Sequence, residues 1–97
     1  MRISLDRRAA QELRQARLWY HVHNRQAEAG FRQEYAAARA VLRDNPYAGP
    51  EIKGGLQRFV IRSYLFVLIY AVTREIRIVA IAHAAREPEY WRGREGE

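Results

Sequence analysis

The chain has 97 residues, no cysteine, and 17 basic against 11 acidic side chains for a net charge of +6. This length is expected to make one domain over residues 1–97 with a single modest core. The lack of cysteine excludes a disulfide framework or a thiolate metal site and suits a reducing cytoplasm. The N-terminus MRISLDRRAAQ lacks the apolar stretch of a signal peptide, and the longest apolar run, Leu65–Val72, falls far short of a membrane span.

Arg2–Leu5 alternates, with Ile3 and Leu5 pointing one way, and reads as a first strand at a sheet edge. Ser4 or Asp6 can then cap a helix that runs to about His23. Its apolar stripe is Ala9, Leu13, Ala16 and Tyr20, at helical spacing, widened by Trp19 and Val22. His21 and His23 lie two positions apart on that helix, point in different directions and cannot share a metal ion. Asn24 marks the break. A second helix from about Gln26 to Arg43 places Ala27, Phe31, Tyr35, Ala38 and Leu42 on one face, so the two stripes pack as a hairpin on a sheet. Gly30 inside this helix costs propensity, which a close helix–helix approach would explain.

Asn45-Pro46 ends the helix, because proline lacks an N–H and pushes the preceding residue out of helical geometry. An irregular connector through Gly49, Pro50, Gly54 and Gly55 carries Glu51 and Lys53. Leu56–Arg62 alternates, with Leu56, Arg58, Val60 and Arg62 on one face and Gln57, Phe59 and Ile61 on the other. Ser63-Tyr64 breaks the run, and Leu65–Val72 is apolar on both faces, the mark of a central strand. After Thr73-Arg74, Ile76, Ile78, Ala80 and Ala82 alternate with Arg77, Val79, Ile81 and His83. These three strands should pair antiparallel, with the helices covering one face and the other partly open. Arg86, Pro88, Tyr90 and Trp91 follow the last strand. They read equally as a functional rim or as a lid whose Trp91 plugs the sheet edge, and the polar end after Trp91 is expected to fray.

Every basic residue except Lys53 is arginine, whose planar fork suits phosphate or carboxylate but makes a poor general base. Such a chain invites an acidic partner, nucleic acid or protein. Arg7, Arg8, Arg14, Arg32 and Arg39 read as solvated helix faces.

The ending His83-x-x-Arg86-x-Pro88-x-Tyr90-Trp91 after an apolar strand resembles the C-terminal signature of RelE/ParE superfamily toxins and plasmid stabilisation proteins. The helical hairpin, the Asn45-Pro46-x-x-Gly49 connector and the strands of Leu56–Tyr70 follow in family order. The resemblance implies an α+β fold, a short N-terminal strand and a helical hairpin packed on a small antiparallel sheet, β-α-α-β-β-β. It also implies a cognate antitoxin and no cofactor or metal.

A RelE-like, ribosome-dependent mRNA endoribonuclease needs a base, phosphate cations and an acid. The resemblance matches Arg86 and Tyr90 to that set, with Arg58 or Arg62 as phosphate clamps and Lys53 or Glu51 as base. His83 is the remaining candidate acid or base by its near-neutral titration, and reads equally as a strand-end histidine bonded to a backbone carbonyl. The strand LFVLIY departs from that pattern, since it is apolar where those nucleases place an arginine. A ParE-like toxin, which inhibits DNA gyrase by binding and needs no catalysis, fits better. Its target-binding candidates are Arg58, Arg62, Arg86, Tyr90, Trp91 and Arg92. Trp19, Val22 and Val41 are the candidate antitoxin contacts.

Overall fold

The computed structural model describes residues 1–83 and 89–94. Its elements are β1 (Ile3–Leu5), α1 (Arg7–His23), α2 (Arg25–Asp44), β2 (Glu51–Ile52), β3 (Leu56–Ile61), β4 (Phe66–Val72) and β5 (Ile76–His83). The five strands form one sheet in the order β1-β5-β4-β3-β2. β2 to β5 pair antiparallel and β1 lies parallel to β5, so the sheet is mixed, with β1 at the expected edge. β4, apolar on both faces, is the central strand. Among the described residues, no helix is long and apolar enough to cross a membrane.

The helices form where their stripes require. Ala9, Ala16, Phe31, Tyr35, Ala38 and Leu42 are buried against Phe66, Leu68, Tyr70, Ile76, Ile78 and Ile81 of the sheet. Phe31 and Leu42 are fully buried, each worth about 1.5–3 kcal/mol in apolar transfer. Trp19 and Val22, expected to widen the stripe of α1, instead point outward, 57% and 69% exposed. Asp6 takes the N-cap position of α1 without a side-chain cap bond, and its carboxylate faces Arg77 at 3.3 Å. Ser4 donates to Glu75 at 2.8 Å. Asn24 ends α1 and caps α2, accepting from the Ala27 N–H at 3.2 Å.

The connector is more ordered than its composition suggests. The Tyr70 hydroxyl, projecting from β4, donates to the Pro46 carbonyl at 2.8 Å and accepts from the Gly49 N–H at 3.1 Å. Gln57 donates to the Gly49 carbonyl at 3.0 Å. A side chain at Gly49 would overlap the Arg58 carbonyl, so only glycine lets the connector lie this close to β3. Gly54 and Gly55 both adopt positive φ and turn the chain between β2 and β3. The Gly-Gly pair between Ile52 and Leu56 was the hairpin signal for the extra strand β2.

Gly30 answers to a different neighbour from the one expected. A Cβ there would overlap the Tyr64 hydroxyl rather than the other helix. Tyr64 belongs to a 3₁₀ turn, Arg62–Tyr64, that joins β3 to β4, and its ring packs edge-on against Tyr20 and Phe31. Gly30→Ala therefore lowers stability by about 1–3 kcal/mol through overpacking, despite alanine's better helix propensity. In a Tyr64→Phe background most of that loss disappears, a coupling read directly by denaturant unfolding of the four proteins.

Burial raises the hydroxyl pKa of Tyr20, Tyr35 and Tyr70, against which the Gly49 hydrogen bond acts only as a lowering influence on Tyr70. A raised folded pKa gives stability that is present below the ordinary tyrosine value of about 10 and is lost as pH rises through the folded value. Thermal stability is thus expected to fall above about pH 10, and less steeply in Tyr70→Phe.

Candidate target-binding surface

One residue of β5 decides which candidate side chains face which way. Ile69 pairs with Ala80 but Tyr70 pairs with Ile78, so Val79 is an extra residue, a β-bulge. The alternation expected for this strand holds through Ile78 and then reverses. Ile76, Ile78 and Ile81 face the helices, whereas Val79 and Ala80 belong to the second cluster with Leu56, Val67 and Ile69. His83 follows Ile81 to the helix side. There it lines a cleft of about 400 Å³ with Glu12, Gln15, Trp19, Tyr20 and Phe66, its ring edge-on to Phe66 at 5.1 Å.

The second face, away from the helices, is not left open. Trp91 packs on its cluster together with Ile52 and Ala71. From the residue after Trp91, Arg92 donates to the Lys53 carbonyl in the β2–β3 turn at 2.8 Å and also pairs with Glu89. Of the two sequence readings of the C-terminal end, Trp91 does act as a lid, on the face of the sheet rather than its edge. Arg58 pairs with Ile69 and Val60 with Val67 in the β3–β4 register, so both belong to this same face, and both are exposed. Arg58 and Arg92 are thus cations on the face that Trp91 covers, with Lys53 in the turn whose carbonyl Arg92 meets. The hydrogen bond from Arg92, then its charge, and to a lesser degree that of Lys53, hold the Glu89 carboxyl below the usual glutamate range. The Glu89 ion pair is accordingly complete above the ordinary glutamate pKa and is lost as pH falls through the lowered one. Side-chain NMR titration should find a depressed Glu89 midpoint that returns to the ordinary range in Arg92→Ala.

Tyr90 is turned away from this face. Its hydroxyl donates to Glu12 of α1 at 2.6 Å. The same carboxylate receives Arg94 at 3.1 Å and the Ile81 N–H at 3.0 Å. Glu12 and Arg94 are both buried, so the chain end does not fray at Arg94 as expected. Sequence reasoning missed this pair. The available signal was an acidic residue at i+3 from Ala9 and i−4 from Ala16, inside the sheet-facing stripe.

The candidate residues divide accordingly. Arg58, Trp91 and Arg92 share the second face. Arg62 opens the 3₁₀ turn, at the end of the sheet where Ile61, Phe66 and His83 lie in register. Arg58 is three residues along the ladder from that row, roughly 10 Å, and on the opposite face from His83. Arg86 lies outside the described residues. Trp19 stacks on His23 with ring centroids 4.2 Å apart and flanks α1 next to the His83 cleft. Val22 lies one turn on and exposed, and Val41 lines a groove between α2 and β3 with Phe59 and Val60 on the other flank of the hairpin. His21 lies 4.0 Å from Glu28, and His23 bonds the Trp19 carbonyl at 2.8 Å, each engaged separately.

A short N-terminal strand followed by a helical hairpin packed on one face of a small sheet is the α+β architecture expected of a RelE/ParE superfamily toxin, here with a fifth strand and a mixed rather than purely antiparallel sheet. The family model described as "ParE toxin of type II toxin-antitoxin system, parDE" matches residues 3–88. That span is most of the chain, and the chain belongs to the ParE toxin family. No curated protein matches it. Membership makes this the toxin of a type II pair and implies an antitoxin partner.

Proposed function

We propose that this toxin acts by binding DNA gyrase, without catalysis of its own, and that a cognate acidic antitoxin neutralises it. The observation that carries this reading is the dispersal of the groups an RNA nuclease would need to bring together. Transesterification requires base, acid and phosphate cations within hydrogen-bond reach of one phosphodiester. Here Arg58 and His83 occupy opposite faces of the sheet, and the Tyr90 hydroxyl is held by Glu12. By contrast Arg58, Trp91 and Arg92 gather on one face, and arginine and tryptophan are the residue types that most often anchor interfaces. The net charge of +6 also favours an acidic surface or DNA-bound enzyme as partner and an acidic antitoxin.

Added to a gyrase supercoiling assay, the purified chain should inhibit, and antitoxin should relieve the inhibition. Arg58→Ala and Trp91→Ala should each weaken inhibition by about 10-fold or more, the scale of an interface anchor. Gyrase left untouched, with mRNA cut on ribosomes instead, would replace this reading with the RelE-like one. Trp19, Val22 and Val41 are proposed antitoxin contacts, and an antitoxin that touches both flanks of the hairpin must cross it. Unchanged antitoxin affinity in Trp19→Ala and Val41→Ala would remove them.

A further inference from the structure

We propose that Glu12 is the positioning residue for the C-terminal segment, a buried carboxylate latch that holds residues 90–94 across the second face and so sets where Trp91 and Arg92 stand. The part concerning the target rests on the gyrase-binding reading above.

The argument starts at the outer edge of β5. β1 pairs with it only from Ile76 to Ile78, and the Asp6 N–H to Ile78 carbonyl bond at 2.9 Å is the last backbone link on that side. Beyond it the chain has entered α1, so among the described residues the Val79 carbonyl and the Ile81 N–H have no neighbouring strand on that side. A buried backbone group without a partner is costly, and two side chains take the strand's place. Oε1 of Glu12 accepts from Ile81 N–H at 3.0 Å, and Arg94 donates to the Val79 carbonyl at 3.2 Å. The substitutes are then joined to each other, Arg94 to Glu12 Oε1 at 3.1 Å, while Glu12 Oε2 receives Tyr90 at 2.6 Å. The Arg94 guanidinium also lies over the Tyr90 ring, 5.1 Å from its centroid.

A glutamate in the sheet-facing stripe of a helix is costly unless its charge is matched and its lone pairs are used. Here the Ile81 N–H alone would need only a neutral acceptor. The charge is matched by Arg94, which arrives from 82 residues away in sequence. Tyr90 and Arg94 therefore tie the segment at the β5 edge, and Arg92 ties it at the β2–β3 turn. Trp91 lies between these two ties, pressed onto Leu56, Val67, Ile69, Val79 and Ala80. With the edge tie cut, the segment leans on the exposed Arg92 contacts and the indole, and local opening becomes far easier than global unfolding.

The test uses the full chain in a Trp19→Phe background, where Trp91 is the single tryptophan, so its fluorescence reports the segment without gyrase present. Glu12→Gln keeps an acceptor for Ile81 but removes the charge. Arg94→Gln leaves α1 untouched and serves as the second variant should the first fold poorly. In both, acrylamide quenching of Trp91 should rise about two-fold or more and its emission shift to the red, while far-UV circular dichroism stays that of the parent. The swap Glu12→Arg with Arg94→Glu should fail to restore protection, because arginine cannot accept from the Ile81 N–H. Trp91 remaining as protected as in the parent in both variants, or protection restored by the swap, overturns the latch whatever gyrase does. Supercoiling assays on the same proteins then test the reading beneath it. Released Trp91 with weakened inhibition supports both, whereas released Trp91 with full inhibition sustains the latch and removes Trp91 and Arg92 from the target contact.

Discussion

Val79 is one residue more than β4 can match, and much of the molecule's arrangement follows from that surplus. A ladder with period two cannot absorb an odd insertion without reversing the faces downstream. Ile81 therefore enters the helix-side core in place of Ala80, which supplies the bulk that Phe66 and Tyr20 pack near. His83 goes with it to the cleft beside α1. At the edge of β5, the Val79 carbonyl and the Ile81 N–H both turn outward beyond the end of β1, where Arg94 and Glu12 meet them.

The two faces of the sheet are then closed by different means. Helices cover one through stripes of alanine, phenylalanine, tyrosine and leucine, an apolar contact that any volume-matched set would make. The other is covered by a short segment of turns, bonded within itself from the Arg92 N–H to the Glu89 carbonyl and from the Arg94 N–H to the Trp91 carbonyl, whose side chains take partners elsewhere in the fold. Tyr90, Arg92 and Arg94 reach them at Glu12 and the Lys53 carbonyl. A buried ion pair of this kind is weak evidence for extra stability, since desolvation offsets the attraction. What it contributes is a defined place for the chain end, and with it a defined place for the indole and the arginine that stand beside Arg58.

That arrangement separates two kinds of surface. The second face carries Trp91 with Arg58 and Arg92, the residues proposed for the target. The helical hairpin presents Trp19 and Val22 on one flank and Val41 on the other, the residues proposed for the antitoxin. A basic toxin with these surfaces on different faces has room for an antitoxin and a target to be read by different residues.

Most of the fold was legible in the sequence. The stripes of α1 and α2, the break at Asn24, the stop at Asn45-Pro46 and the doubly apolar β4 are local signals, and each element formed within a residue or two of its expected bounds. The order of family motifs likewise points to the toxin superfamily. What local patterning lacked was the register between strands. The bulge at Val79 leaves no mark in composition, because valine, alanine and isoleucine suit either face, so the reversal that carries His83 and Ile81 to the helix side was decided only by pairing with β4. The parallel partnership of β1 with β5, the Tyr64 hydroxyl over Gly30 and the Glu12–Arg94 latch are contacts between residues far apart in the chain. Sequence determined which elements exist and which family they build. Only tertiary structure decided which side chains meet, because a buried charge or a missing Cβ finds its reason in a neighbour that the chain brings close only by folding.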